Sequence, residues 1–321
     1  MTLQRSLGAL VASALFTTVA FAQNFPSKPV RIVVPFGAGG VADVTARVVA
    51  QKMGEALGQA VVIENKPGAG GIVAGDTVAK ADPDGHTLLL MSNATAVSET
   101  LFRSLPFKTS QDFVPVSTLG YFDLAVVTAA NSRFKTFGEL LAYAKANPGK
   151  LNLGSINVGS TQNLTAELFK STAGVDVQII PFNGTPAVVT ALRGGQIDAA
   201  VEIVAPVLTQ IQSKALRALA VTSDKRAAVL PDVPTTREAG LPGYVARSWN
   251  ALAAPARTPA PVIARLNQEI VAALNAPDVR KKLHDLNVEA QSSTPQEASA
   301  LLASEIKRWG DVIKTAKIPI Q

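Results

Sequence analysis

Two stretches of this chain combine residue types and spacing that can do chemistry. The first is Pro35-Phe36-Gly37-Ala38-Gly39-Gly40-Val41-Ala42-Asp43. It follows a β-branched run, residues 30–34, that reads as a buried strand. Pro35 closes the run, because it has no N–H to give a central ladder. The glycines at 37, 39 and 40 then let the backbone turn tightly and come close to a ligand. From Val41 the pattern is helical, with Ala42, Ala46, Val49, Met53 and Leu57 on one stripe. A bare turn therefore meets a helix start, whose unpaired amides and positive dipole end attract an anion. The second stretch, Ser155-Ile156-Asn157-Val158-Gly159-Ser160-Thr161, repeats that logic between another strand and another helix. The anion is a phosphate or a carboxylate, and these residues alone leave the choice open.

Gly37-Ala38-Gly39-Gly40-Val41-Ala42 fits the G-x-G-x-x-A dinucleotide fingerprint, with Glu64 ending the next strand. Against it, Pro35-Phe36 intervenes between strand and glycine, and no residue stands out as a hydride-transfer acid. Pro67-Gly68-Ala69-Gly70-Gly71 is a second glycine turn without the Lys-Ser/Thr pair of a P-loop. No G-x-S-x-G elbow occurs. His86 and His284, the two imidazoles, read as surface residues, and Asp76, Asp82 and Asp84 as a solvated turn without EF-hand spacing. The chain has no cysteine, which removes disulfides, thiolate chemistry and cysteine-ligated metal. The sequence therefore predicts no catalytic residues, no metal and no cofactor.

The elements that must position the two turns alternate strand and helix with short gaps, the pattern of an α/β protein with mostly parallel sheets. Residues 1–22 read as a secretory signal: Arg5 is their only charge, Leu7 to Ala20 is apolar, and Ala20-Phe21-Ala22 is small-x-small. Cleavage after Ala22 would place the mature chain in the periplasm and, with Arg5 gone, lower the formal charge from +6 to +5. The remaining basic residues are scattered, without aromatic interleaving, so nucleic acid is not an expected partner. The expected organisation is a first lobe over 23–122, a second over 123–246, and a return to the first over 247–321. Extended crossings join the lobes near 115–130 and 245–253. Thr136-Phe137-Gly138-Glu139 and Thr294-Pro295-Gln296-Glu297 are capping boxes that open helices. Such a topology favours hinge closure about a ligand in the cleft.

Several motifs together resemble the Bug family of periplasmic solute receptors, the extracytoplasmic part of tripartite tricarboxylate transporters. They are the first turn with Ala46-Arg47, Val62-Ile63-Glu64-Asn65-Lys66-Pro67-Gly68-Ala69-Gly70-Gly71, Pro83-Asp84-Gly85, and Gly194-Gly195-Gln196-Ile197-Asp198. Leu216-Arg217-Ala218-Leu219-Ala220-Val221-Thr222, Leu230-Pro231-Asp232-Val233-Pro234-Thr235 and Ala254-Pro255 with Thr258-Pro259 continue the match in order. The resemblance implies a two-lobed flytrap fold that binds a small organic mono- or dicarboxylate without catalysis. It also implies delivery to a membrane permease of the same type, by a receptor expected to be monomeric. The ligand would be held by backbone amides of one turn per lobe: Phe36, Gly37, Ala38, Gly39, Gly40 and Asp43 in the first, and Ser155, Asn157, Gly159, Ser160 and Thr161 in the second. Asp43 reads more as a cap than a ligand. Phe182, Asn183 and Trp249 are candidate walls. The chain departs from the family pattern at Asn163, where a histidine often stands, and at Glu202, where the strand often ends in Asp; Glu202 either faces the cleft or lies on the surface. A secreted enzyme acting on a carboxylic acid and a receptor serving a signalling partner are the alternative readings.

Overall fold

A computed structural model describes residues 25–321, and the expected signal segment, residues 1–22, lies outside them. The first half of the chain runs β1 (Val30–Val34), α1 (Val41–Leu57), β2 (Val61–Asn65), α2 (Ile72–Ala79), β3 (Thr87–Met91), α3 (Asn93–Leu101), α4 (Thr109–Asp112) and β4 (Phe113–Ala129). It continues with α5 (Phe137–Ala146), β5 (Asn152–Ile156), α6 (Thr161–Ala173), β6 (Gln178–Phe182), α7 (Thr185–Arg193), β7 (Ala199–Ile203), α8 (Val204–Gln212) and β8 (Leu216–Val221). β9 (Arg247–Pro255), α9 (Ala260–Asn275), α10 (Pro277–Asp285), β10 (Val288–Ala290) and α11 (Pro295–Thr315) complete it.

Two parallel units meet at a pair of long antiparallel strands. β1 pairs in parallel with β2 and β3, and β5 pairs in parallel with β6 and β7. The sheet order is β2-β1-β3-β9-β4-β7-β5-β6, with β8 and β10 also on β4. β4 changes partner within one residue step: Asp123 pairs Arg247 of β9, and Leu124 pairs Ile203 of β7. Each half is thus a helix-covered sheet, the two-lobed architecture of periplasmic binding proteins, and β4 and β9 are the crossings.

The strands read as near-continuous apolar runs because both faces are covered. In β1, Ile32 packs toward α1 and α9 while its neighbour Val33 packs toward α2 and α11. In β4, Val126 joins Phe137 and Leu140 of α5 and Phe169 of α6, whereas Val127 joins Val188 and Leu192 of α7 and Val207 of α8. α11 ties the halves together, its buried Trp309 sharing an apolar cluster with Val97 and Leu101 of α3 and Leu164 of α6. Among the described residues no helix is long and apolar enough to cross a membrane.

Sequence patterning missed three short elements, α3, α4 and β10. α3 was legible: Ser92 and Thr95 form a reciprocal capping box at its start. His86 corrects another expectation. It is only 8% exposed, accepts the Ser27 amide on Nε2 at 3.2 Å, and packs edge-on against Phe25, so it anchors the N-terminal segment instead of facing solvent.

Candidate ligand-binding cleft

Parallel strands followed by helices bring helix N-termini to one edge of a sheet. Here five of them reach one cavity of about 190 Å³ between the two halves. Gly40, Val41 and Ala42 enter it from α1, and Ser92 and Ala94 from the start of α3. On the other side Ser160, Thr161 and Gln162 come from α6, Thr185 from α7, and Ile203 and Pro206 from α8. Phe36 and Phe122 add aromatic wall, and Ser248 and Asn250 come from crossing strand β9. Among the described residues no charged side chain lines the cavity. Its electrostatics therefore come from helix ends, each equivalent to roughly half a positive charge.

The two turns use their polar atoms differently. α1 starts at Gly40 without a side-chain cap. The Gly39 amide is occupied, donating to Asp43 Oδ2 at 2.8 Å. Asp43 also receives Arg47 on both oxygens at 3.0 Å and Asn65 Nδ2 on Oδ1 at 2.8 Å. Asn65 in turn bonds the Phe36 carbonyl at 3.0 Å, which ties β2 to the turn. Burial alone would raise the Asp43 carboxyl, but Arg47, the Gly39 amide and Asn65 outweigh it and hold the group below the ordinary carboxylate range. Asp43 is a clamp that shapes the turn, and Gly40, Val41 and Ala42 at the start of α1 line the cavity, where the first amides of a helix have no intrahelical acceptor.

In the second turn Gly159 N–H donates to Asn163 Oδ1 at 3.2 Å, and Ser160 N–H to the Asn157 carbonyl at 3.0 Å. Ser160 caps α6 by accepting the Asn163 amide at 3.1 Å, and Asn163 Nδ2 reaches Ser155 Oγ at 3.3 Å. Asn163 is thus the post that holds this turn. Thr161 and Gln162, the first residues of α6, line the cavity, and amides at those positions have no intrahelical acceptor. The Thr161 hydroxyl lies 3.2 Å from Ser248 Oγ of β9, which joins α6 to the crossing.

Of the residues read from sequence, Phe36, Gly40, Ser160 and Thr161 line the cavity. Gly37, Ala38 and Gly39 form the exposed shoulder of the first turn, and Asn157 the shoulder of the second. Ser155 and Gly159 are buried beneath it. Phe182 is half-buried at the end of β6, Asn183 is exposed, and Trp249 is core, its indole donating to Glu305 at 3.4 Å. Sequence reading missed Ser92, Phe122, Gln162, Thr185, Ser248 and Asn250. Only Ser92, through its capping box, left a local signal; the others reach the cavity through strand pairing and helix packing that no local pattern encodes.

Glu202 is fully buried behind this wall. Its Oε2 accepts the Thr185 hydroxyl at 2.9 Å. Burial pushes its carboxyl up to about 7, against the pull of Thr185, Gln162 and the Ile203 amide. The elements packed on β7 carry Tyr121 and Asp123 on β4, Glu167 and Lys170 on α6, and Arg193 on α7, and none of these pairs with Glu202. A larger groove of about 360 Å³ lies on the hinge side, lined by Asp123, Arg226, Arg247, His284 and Glu289. Its guanidiniums are already paired, Arg247 with Asp123 and Glu289, and Arg226 with Glu238.

The family model described as the tripartite tricarboxylate transporter family receptor, TctC, matches residues 45–318. The chain belongs to this family. Among TctC relatives, BugT of Bordetella pertussis is 37% identical over 310 residues, 96% of this chain and 95% of BugT. The solved periplasmic binding protein BugD superimposes with a TM-score of 0.82 at 31% identity, over 92% of this chain and 100% of BugD. MatC from Rhodopseudomonas palustris with bound malate gives 0.80 at 35% identity, over 90% of this chain and 100% of MatC. This TctC chain is thus a receptor of the periplasmic solute-binding type, related to proteins solved with a carboxylate.

Proposed function

We propose that this protein captures a small organic carboxylate in the periplasm and delivers it to a tripartite tricarboxylate-type membrane permease, without catalysing a reaction. The observation that carries the reading is the convergence of helix starts from both halves on one cavity whose described wall has no charged side chain. One ligand carboxylate accepts from the Val41 and Ala42 amides of α1 on one side and from Thr161 and Gln162 of α6 on the other. Such bonds to a charged acceptor contribute about 1.5–3 kcal/mol each. Three or four of them, less the ordering cost of association, reach the roughly −8 kcal/mol of micromolar binding. The malate held by MatC supports this ligand class. The occupied amides of Gly39 and Gly159 make the turns rigid before ligand arrives, which lowers that ordering cost.

A thermal-shift screen over mono- and dicarboxylates, with nucleotides and inorganic phosphate as controls, tests the reading. A carboxylate at a hundred times its Kd should stabilise the fold by about 2.7 kcal/mol. A flat response to every acid together with a response to nucleotides would overturn it.

A further inference from the structure

Asn250 lines the cavity from β9 and is 2% exposed. Its Nδ2 donates to the Met91 and Trp249 carbonyls at 3.4 and 3.1 Å. Those two acceptors settle which way the amide points, since a flipped group would set oxygen against two carbonyl oxygens. The Oδ1 atom is left buried, with no donor among the described residues. A buried acceptor without a donor is costly, and a ligand that brings a hydroxyl removes that cost.

The cavity also carries its own acid. Glu202 lies directly behind Thr185 and Gln162, two residues of the wall, and accepts a hydrogen bond from the Thr185 hydroxyl. Thr185 is the first residue of α7, so the donor that would greet a second ligand carboxylate at that helix start is already committed. Among the described residues no lysine, arginine or histidine lines the cavity to offset a further negative charge there.

We infer that the ligand is a small monocarboxylate bearing a hydroxyl group, with the hydroxyl donating to Asn250 Oδ1 and Glu202 excluding a second carboxylate. This rests on the carboxylate reading above and narrows it. The α1 and α6 amides take the single carboxylate, Asn250 reads the hydroxyl, and Ile156, Ile203 and Phe122 cover the carbon chain.

Four acids of equal chain length test it by titration calorimetry at pH 8.5, where Glu202 is ionised: 3-hydroxybutyrate, butyrate, malate and succinate. The first pair and the second pair each differ by a hydroxyl, and the two pairs differ by a carboxylate. 3-Hydroxybutyrate should bind tightest. The hydroxyl should strengthen binding about tenfold within each pair, as one bond to a buried acceptor does. The second carboxylate should weaken binding about tenfold or more. Asn250→Leu should bring the hydroxyl ratio to near one, and Glu202→Gln should shrink the carboxylate penalty. The wild-type ratios decide the matter even where a variant fails to fold. Succinate or malate binding tightest, or a hydroxyl ratio of one in the wild type, would overturn the inference while the carboxylate reading stands. Phosphate or nucleotide binding with none of the four acids would overturn both.

Discussion

Asp43 shows how one side chain shapes a site it does not line. Its carboxyl gathers the Gly39 amide, Arg47 and Asn65, and so joins turn, helix and β2 at one buried point. Asp43→Ala strands the Gly39 amide and removes one of the two acceptors of Asn65 Nδ2, and should destabilise the fold by about 1–3 kcal/mol in urea unfolding. Because the folded carboxyl is held below its ordinary value of 3.8, this contribution is present above that pH and lost as pH falls through the folded value. Glu202 works in the opposite sense. Burial raises it from 4.5 to about 7, so across that window the folded chain keeps a proton that the unfolded chain has released. Stability therefore falls as pH rises from 4.5 toward 7 and levels off above. Glu202→Gln cannot ionise and should match the wild type near pH 5 but exceed it at pH 8.5 by up to about 3 kcal/mol. Parallel melting curves across this range would contradict the assignment. The same ionisation places a negative charge beside the cavity, so wild-type affinity for an anion should decline above about pH 7 while that of Glu202→Gln stays level.

At the level of elements, what was legible follows from local patterning. β1, the first glycine turn and α1 could be read because period, proline and glycine all agree there, and the capping boxes of α5 and α11 fall where Thr136 and Thr294 predict them. α1 and α8 start without a side-chain cap where they face the cavity, which leaves their first amides for a ligand, whereas Pro186 and the Gly184 carbonyl take that role away from α7. The expectation that the glycines themselves present the free amides needed correction at Gly39 and Gly159, because their partners, Asp43 and Asn163, are both four residues ahead and were read for other roles. Gly39 still sets the path of the turn, since its φ of +83° is a conformation that side chains rarely adopt, although a Cβ there would meet nothing within 4 Å. Gly39→Val should therefore keep the fold and redirect the turn. Ligand affinity should drop about tenfold or more, with circular dichroism unchanged; calorimetry showing wild-type affinity would remove this turn from the site.

For the whole molecule, the α/β class and the two-lobed plan were readable from strand–helix alternation together with the family motifs, because both lobes obey the same local rules. The cavity wall was not, since Phe122, Thr185, Ser248 and Asn250 are brought together by the change of partner in β4 at Asp123 and Leu124, a long-range event. The central claim is that main-chain donors from opposite halves hold one ligand carboxylate. Backbone amide chemical shifts, followed by NMR while 3-hydroxybutyrate or another carboxylate that stabilises the fold is titrated, test it most directly. The Val41, Ala42, Thr161 and Gln162 amides should shift together along one binding curve. Shifts confined to one half, or gathered around Arg247 and His284 in the hinge-side groove, would contradict it.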